Sequence, residues 1–590
     1  MLDTTRTLIA KRTWRYGLVA VVGLVCLTTV RQAVRGQDAS QKPDALGQAA
    51  LVKVQSAAEL ESAAIEPDLQ RILSETPADQ TLSVLVYLSE QVDLGAITSR
   101  MDAQRATLRE RHETVVRALQ DTAAGTQGNL LAHLNALEQE GRIEQFQPFW
   151  VSNCIRVDAK KDVIGELATR PDVGMIYFNY PIETIEPVGQ RAKGPDGMRG
   201  GGPEPGLIAV RAPEVWALGY TGEGILVATL DTGVDGNHPA LASRWRGVAD
   251  PRYAGHPEWA WFDPVTHTNF PEAFGSHGTH TMGTVCGGAP GDQIGVAPGA
   301  QWIHAAVIDR VSIERTIADA KLAFEWLIDP DEDPSTNWDV PAVCSNSWRL
   351  AWYHGYPSCW DEFWSYLDAC EAAGIVILFS AGNEGPGAQT IGRPPDRATT
   401  EYMCCAIGAV DAQDANPPWS VAGFSSRGPS YCTPDGSMAI KPELAAPGVE
   451  VRSSVPGGGY QSSGWSGTSM ASPHVNGVVA LVREACPDLS VQQVLQILYD
   501  TAHDQGPSGN DNDYGFGMVD AYEAVQLALS MCETPGDLNG DGCVDQRDLG
   551  ILLADWNCSG GNCPGDCDGD GDTDQGDLGV MLAHWGEGCP

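Results

Sequence analysis

Asp231, His277 and Ser469 are residues of this sequence whose types suit acyl transfer to an alcohol. That reaction needs a nucleophile, a base to take its proton, and donors for the oxyanion that develops. Asp231 closes the apolar run Leu226-Val-Ala-Thr-Leu-Asp231 and opens a glycine-containing turn. It therefore stands at the carboxyl end of an expected parallel strand, where sites form in α/β folds. His277 lies in Gly275-Ser-His-Gly-Thr-His-Thr281, whose glycines allow a ligand backbone to come close. Two histidines three apart also suit a metal, but no third ligand stands at a suitable spacing. That favours His277 as a base and His280 as a buried structural partner. Ser469 lies in Gly467-Thr-Ser-Met-Ala-Ser-Pro-His474, ahead of an apolar helix through Leu481. A serine there either caps the helix or uses its dipole to favour developing negative charge. Asn383, in Phe379-Ser-Ala-Gly-Asn-Glu-Gly385, is either a turn former or an oxyanion donor.

These residues need a scaffold. Between about 207 and 530, short apolar runs at 225–230, 302–307 and 375–379 alternate with helical segments. That is the pattern of a parallel sheet covered by helices. Ahead of it stand a strand at 82–88 and a helical recurrence of Ile97, Met101, Leu108, Val115 and Leu119, interrupted at Gly125 and Gly128. Apolar segments at 149–157, 163–167 and 173–178 complete a small α+β unit. The Gly/Pro-rich stretch 194–206 reads as an exposed linker and cleavage zone. At the start, Lys11, Arg12 and Arg15 precede an apolar run at 17–30. It is shorter than the roughly 20 residues of a membrane span, so a secretion signal cut near Gly36 is expected, with an uncleaved anchor as the alternative.

Acidic residues outnumber basic ones 77 to 37, a formal charge of −40. This excludes a nucleic-acid binder, which needs cations for phosphates, and fits a soluble protein or a cation binder. Sixteen cysteines in an exported chain predict disulfides of open connectivity. After Pro535 the sequence turns to Asp, Gly and Cys and repeats itself. Asp537, Asn539, Asp541, the Cys543 carbonyl, Asp545 and Asp548 fall at loop positions 1, 3, 5, 7, 9 and 12. Asp566, Asp568, Asp570, Asp572, Asp574 and Asp577 fall likewise in the second copy. Both have calcium-loop spacing, with a solvated acidic tail as the alternative.

Together LDTGVDGNHPAL, GSHGTHTMGTV, FSAGNEGP and SGTSMASPHVNG resemble the subtilisin family of serine peptidases. IGVAPGA, FSSRGP and YGFGMVDA add support, and WALGYTGEGILVATLDTGVD with Asn346-Ser347-Trp348 looks nearest the bacillopeptidase F branch. The resemblance implies an α/β fold with a subtilisin-like parallel sheet flanked by helices. It implies an Asp231, His277, Ser469 triad, Asn383 as oxyanion donor, and a substrate cleft lined by Ser347, Trp348, Arg349, Ser380, Ala381 and Gly382. It also implies a domain order of signal (1–36), propeptide (37–200, with an inhibitor-like α+β domain at about 80–182), peptidase (201–530) and tail (531–590). Arg349 stands where relatives have a glycine; it narrows the cleft, recruits an acidic side chain or points away. The duplicated tail resembles a type I dockerin, which implies bound Ca2+ and a cohesin-like partner for residues 535–587. The expected function is a secreted, autoinhibited endopeptidase; an inert adhesion component and a narrow-specificity processing peptidase are the alternatives.

Overall fold

A computed structural model describes residues 51–53, 64–188 and 203–586, apart from 105, 311–313, 351–358, 401, 415, 462–464, 533–534, 540–542, 560–562 and 569–570. The expected signal, most of the linker, Asp541 and Asp570 lie outside the described residues.

The first part is the expected α+β unit. Four antiparallel strands run in the order Ile143–Phe149, Cys154–Lys160, Thr81–Leu88, Val173–Phe178. Val84, Val86, Ile155, Val157 and Ile176 bury one face against Leu130, Leu134 and Leu167 from the helices. The helical recurrence is two helices, Leu94–Ala103 and Leu108–Thr126. Thr107 and Glu110 form a capping box that restarts the second helix. Gly125 does not interrupt; it lies inside that helix, and Gly128–Gln139 follows directly. The apolar run at 149–157 is split by a turn at 150–153 into the ends of two paired strands.

The second part is built on a sheet ordered Ser420–Val421, Cys405–Asp411, Val376–Ser380, Val343–Asn346, Leu226–Asp231, Gln301–Ala306, Trp261–Phe262, with Leu444–Pro447 also on Cys405–Asp411. All these pairs are parallel except Ser420–Val421 on its neighbour. Every residue of Leu226–Asp231 and Val376–Ser380 is buried, as a sheet covered on both faces requires. Helix Thr468–Ala485 packs on this sheet and is buried throughout 468–483. The foot of the expected linker is not loose: Pro205 opens the helix Pro205–Ala209.

Disulfides join Cys359 to Cys432, Cys486 to Cys532 and Cys558 to Cys563. Cys286, Cys344, Cys370, Cys404 and Cys405 are buried thiols instead. Burial in the apolar core pushes their pKa up, so they behave as small hydrophobic side chains rather than thiolates.

Candidate active site

The site forms at the carboxyl edge of the parallel sheet. Register pairs Leu230 with Asn346 and Asn346 with Phe379, so Asp231, Ser347 and Ser380 emerge side by side. Asp231 is buried, and His277, the first residue of helix His277–Cys286, donates from Nδ1 to its two oxygens at 2.8 and 2.9 Å. The Thr232 N–H and Thr281 hydroxyl also donate to that carboxylate, at 2.7 and 3.3 Å. Burial opposes charge on both groups, but their mutual attraction and hydrogen bond outweigh it. Asp231 is held below its ordinary pKa and His277 above its own. His277 Nε2 is buried without a hydrogen-bond partner among the described residues. His280 is stacked on Trp465 and bonded to the Val451 carbonyl, and burial lowers its pKa to about 3. It is the structural partner the sequence suggested.

Ser469 is the second residue of its helix. Pro473 lacks the N–H that would bond the Ser469 carbonyl, and the Ser347 hydroxyl approaches that oxygen at 3.5 Å instead. The Ser469 hydroxyl donates to the Ile185 carbonyl at 2.9 Å rather than to His277 Nε2. Asn383 is oriented by the same helix. Its side-chain oxygen accepts from the Thr468 N–H and hydroxyl, both at 3.0 Å, which assigns the two ends of the amide. Nδ2 is thereby aimed into the cleft, where it donates to the Glu186 carbonyl at 2.9 Å. Gly382, at φ +110°, makes the turn before Asn383; a Cβ there would meet Glu384 Oε2 at 2.7 Å.

The cleft holds the chain's own upstream segment. Pro181–Thr184 lies between Arg315–Thr316 and Trp348–Arg349 as the middle of three antiparallel strands. The Ile185 N–H then donates to the Ser347 carbonyl at 3.0 Å and the Val188 N–H to the Ser466 carbonyl at 2.6 Å. The hydroxyl of Ser469 and the amide of Asn383 thus address two successive carbonyls, those of Ile185 and Glu186. Pro187 follows immediately.

Of the expected cleft residues, Ser347 meets the segment directly, and its hydroxyl lies 3.1 Å from that of Ser380. Ala381 and Gly382 carry the turn into Asn383, with the Gly382 N–H on the Thr468 hydroxyl at 3.1 Å. Trp348 offers only its backbone. Its indole is buried against Phe363 and Phe379 and bonds the Asn346 side chain at 3.0 Å. Arg349 does not point away: its Nε lies 2.9 Å from Glu183 Oε1 and its Nη1 touches Glu384. Sequence reasoning missed the roles of Glu183, Ile185 and Glu186, which have no motif of their own. It also missed Thr468 and Glu384, although both lie inside recognised motifs.

In the tail, helices Gln546–Ala554 and Gln575–Ala583 start at equivalent capping boxes, Asp545 with Asp548 and Asp574 with Asp577. Val544, Leu552 and Met581 form a small core between the copies. Asp548 accepts from the Leu538, Asn539 and Asp545 N–H groups, and Asp577 from those of Cys567, Asp568 and Asp574. Burial opposes ionisation, yet these donors hold both carboxylates below their ordinary pKa. Oxygens of Asp566, Asp568 and Asp577 lie within 4.8 Å of one another, as do those of Asp572, Asp574 and Asp577. An all-oxygen donor set of that density fits a hard divalent cation. Asp555, Cys558 and Cys563 also converge, but the two sulfurs are joined and offer no thiolate.

Comparison with known proteins gives the family. The Subtilase family profile matches residues 222–517. Bacillopeptidase F of Bacillus subtilis is 36% identical over 460 residues, which cover 73% of this chain and 30% of that protein. The chain thus spans about a third of that relative's length. Serine protease AprX of the same organism is 31% identical over 66% of this chain and 83% of its own length. The crystal structure of fervidolysin from Fervidobacterium pennivorans, a keratinolytic enzyme related to subtilisin, superposes with a TM-score of 0.50 at 21% identity over 76% of this chain and 61% of that one. The chain belongs to the subtilase family, the serine-type endopeptidases related to subtilisin.

Proposed function

We propose that the chain is a secreted serine endopeptidase made as a precursor whose α+β leader occupies its own cleft. The observation that carries this is the extended segment at 181–188, with the Ile185 carbonyl 2.9 Å from the Ser469 hydroxyl. In an open cleft, His277 Nε2 takes the Ser469 proton as Oγ attacks the substrate carbonyl carbon. Asp231 holds the imidazole tautomer and stabilises its cation, and the Asn383 side chain and Ser469 N–H receive the oxyanion. His277 then gives its proton to the leaving nitrogen, and water repeats the sequence on the acyl-enzyme. In the precursor the nucleophile and the Asn383 donor address different peptide groups, which supports an inhibitory role for the leader. No described helix is long and apolar enough to cross a membrane.

Mass spectrometry of the exported wild type beside Ser469→Ala tests this reading. The wild type is expected to lose residues up to or beyond Ile185, and the variant to keep them. Self-processing by Ser469→Ala would overturn the assignment.

The tail is proposed to bind two calcium ions through its two loops and, so ordered, to dock a cohesin-like partner. The adjoining positions Gln546-Arg547 and Gln575-Gly576 differ between copies, so the two faces are not equivalent. Calorimetry should show two sites; affinity weaker than about 1 mM would reject them.

A further inference from the structure

The strand lining the cleft carries a charged side chain at its centre. Trp348 and Arg349 pair antiparallel with Thr184 and Glu183. Side chains alternate along a strand, so the inward indole of Trp348 sends Arg349 outward, beside the residue opposite it. That residue is Glu183, at 2.9 Å from Nε. The guanidinium is only 19% exposed and Glu183 25%, so the pair is partly shielded from water. Glu384 touches the other side of the guanidinium. Glu384 is itself fixed, its Oε2 accepting from the Asn383 N–H at 2.9 Å and from the Ser426 hydroxyl at 3.2 Å. Arg349 is therefore held in place before anything enters the cleft, with Nε left to bond an incoming acceptor.

We infer that Arg349 reads an acidic side chain on the substrate, at the third residue before the cleaved bond. The register supplies the position. Ile185, whose N–H bonds Ser347 and whose carbonyl faces the nucleophile, is the first residue before the bond, and Glu183 is the third. The leader mimics the substrate at this position. Glu384 sharpens the effect: with Arg349 the subsite offers a donor to a carboxylate, and without it a lone carboxylate remains, which repels one. Loss of Arg349 should therefore reverse the preference and not merely flatten it.

This inference rests on the peptidase reading, and the test separates the two. Enzyme recovered after self-processing of the full chain is given peptides that differ only in Glu, Gln or Lys at one position, with each cut located by mass spectrometry. Wild type should cleave the peptide with Glu at the third position roughly tenfold faster, in kcat/KM, than the one with Lys, and the ratio should shrink with added salt. Arg349→Ala should favour Lys. Equal ratios in wild type and Arg349→Ala, with hydrolysis intact, would overturn the inference alone. No hydrolysis of any peptide would overturn the peptidase reading. A second measurement needs no turnover. In the full-length Ser469→Ala chain, Glu183→Lys should speed hydrogen exchange at the Ile185 and Val188 amides, and adding Arg349→Glu should restore protection. Exchange unaffected by Glu183→Lys, or not restored by the charge swap, would also overturn it.

Discussion

Asp231 and Asp577 are both buried carboxylates that accept backbone hydrogen bonds, but their neighbours differ. Asp231 faces the imidazole of His277; Asp577 faces Asp566, Asp568, Asp572 and Asp574. In the peptidase, the chain supplies the counter-charge, so the geometry of the site is set by folding alone. In the tail, like charges crowd together, and on the proposed reading the balance comes from a bound cation. One region is preorganised; the other is conditional.

The largest test of that contrast is Ser469→Ala, which should lower peptide turnover by on the order of 10⁶ while leaving the calcium response of the tail unchanged. Next, Asn383→Ala removes one oxyanion donor and should cost about 10²–10³ in kcat with little change in KM. Both are read by steady-state kinetics on a short peptide. In the tail, Asp577→Asn should weaken calcium binding by roughly 10–100-fold at the second loop only, measured by calorimetry. A simultaneous loss at both loops would mean that the copies fold as one unit, and would blur the contrast with the peptidase.

The smallest effect concerns pH. Glu325, in the peptidase part, accepts from the leader N–H groups of Trp150 and Val151. Burial, to which the docked leader contributes, pushes its pKa from an ordinary 4.5 up to about 8, and the two N–H donors only partly offset this. A carboxyl whose pKa is raised by docking binds its proton more tightly in the docked state. The leader's grip is thus full below about 4.5 and is lost as pH rises through 8. Inhibition of the processed enzyme by its released leader should weaken by up to about tenfold between pH 7 and 8, and Glu325→Gln should remove that slope.

Much of the site was legible because its residues lie in long ordered motifs. Asp231 could be assigned to a strand end, His277 to a glycine-flanked motif, Ser469 to a helix start and Asn383 to a turn before any contact was known. The sheet was legible because its strands are buried on both faces and read as unbroken apolar runs. What was hidden depends on contacts between segments far apart in sequence. Nothing in Glu183-Thr-Ile-Glu186 says that it crosses the cleft, and the role of Arg349 appears only when Glu183 lies opposite. Which core cysteines stay as thiols was not legible, because cysteine count indicates compartment, whereas pairing requires proximity and direction. The break at Thr107 was missed because a capping box and a surface Thr-Leu-Arg-Glu look alike in a charged stretch.

The helix that carries Ser469 is buried along 468–483 and threads the middle of the peptidase. One consequence concerns time rather than geometry. Ser469, the nucleophile of the proposed mechanism, comes near the end of the peptidase region, on a helix whose burial depends on contacts with strands earlier in the chain. A chain emerging during synthesis therefore carries Asp231 and His277 without their third member. On the proposed mechanism, a chain that has not yet added and seated this helix lacks its nucleophile and cannot cut its neighbours.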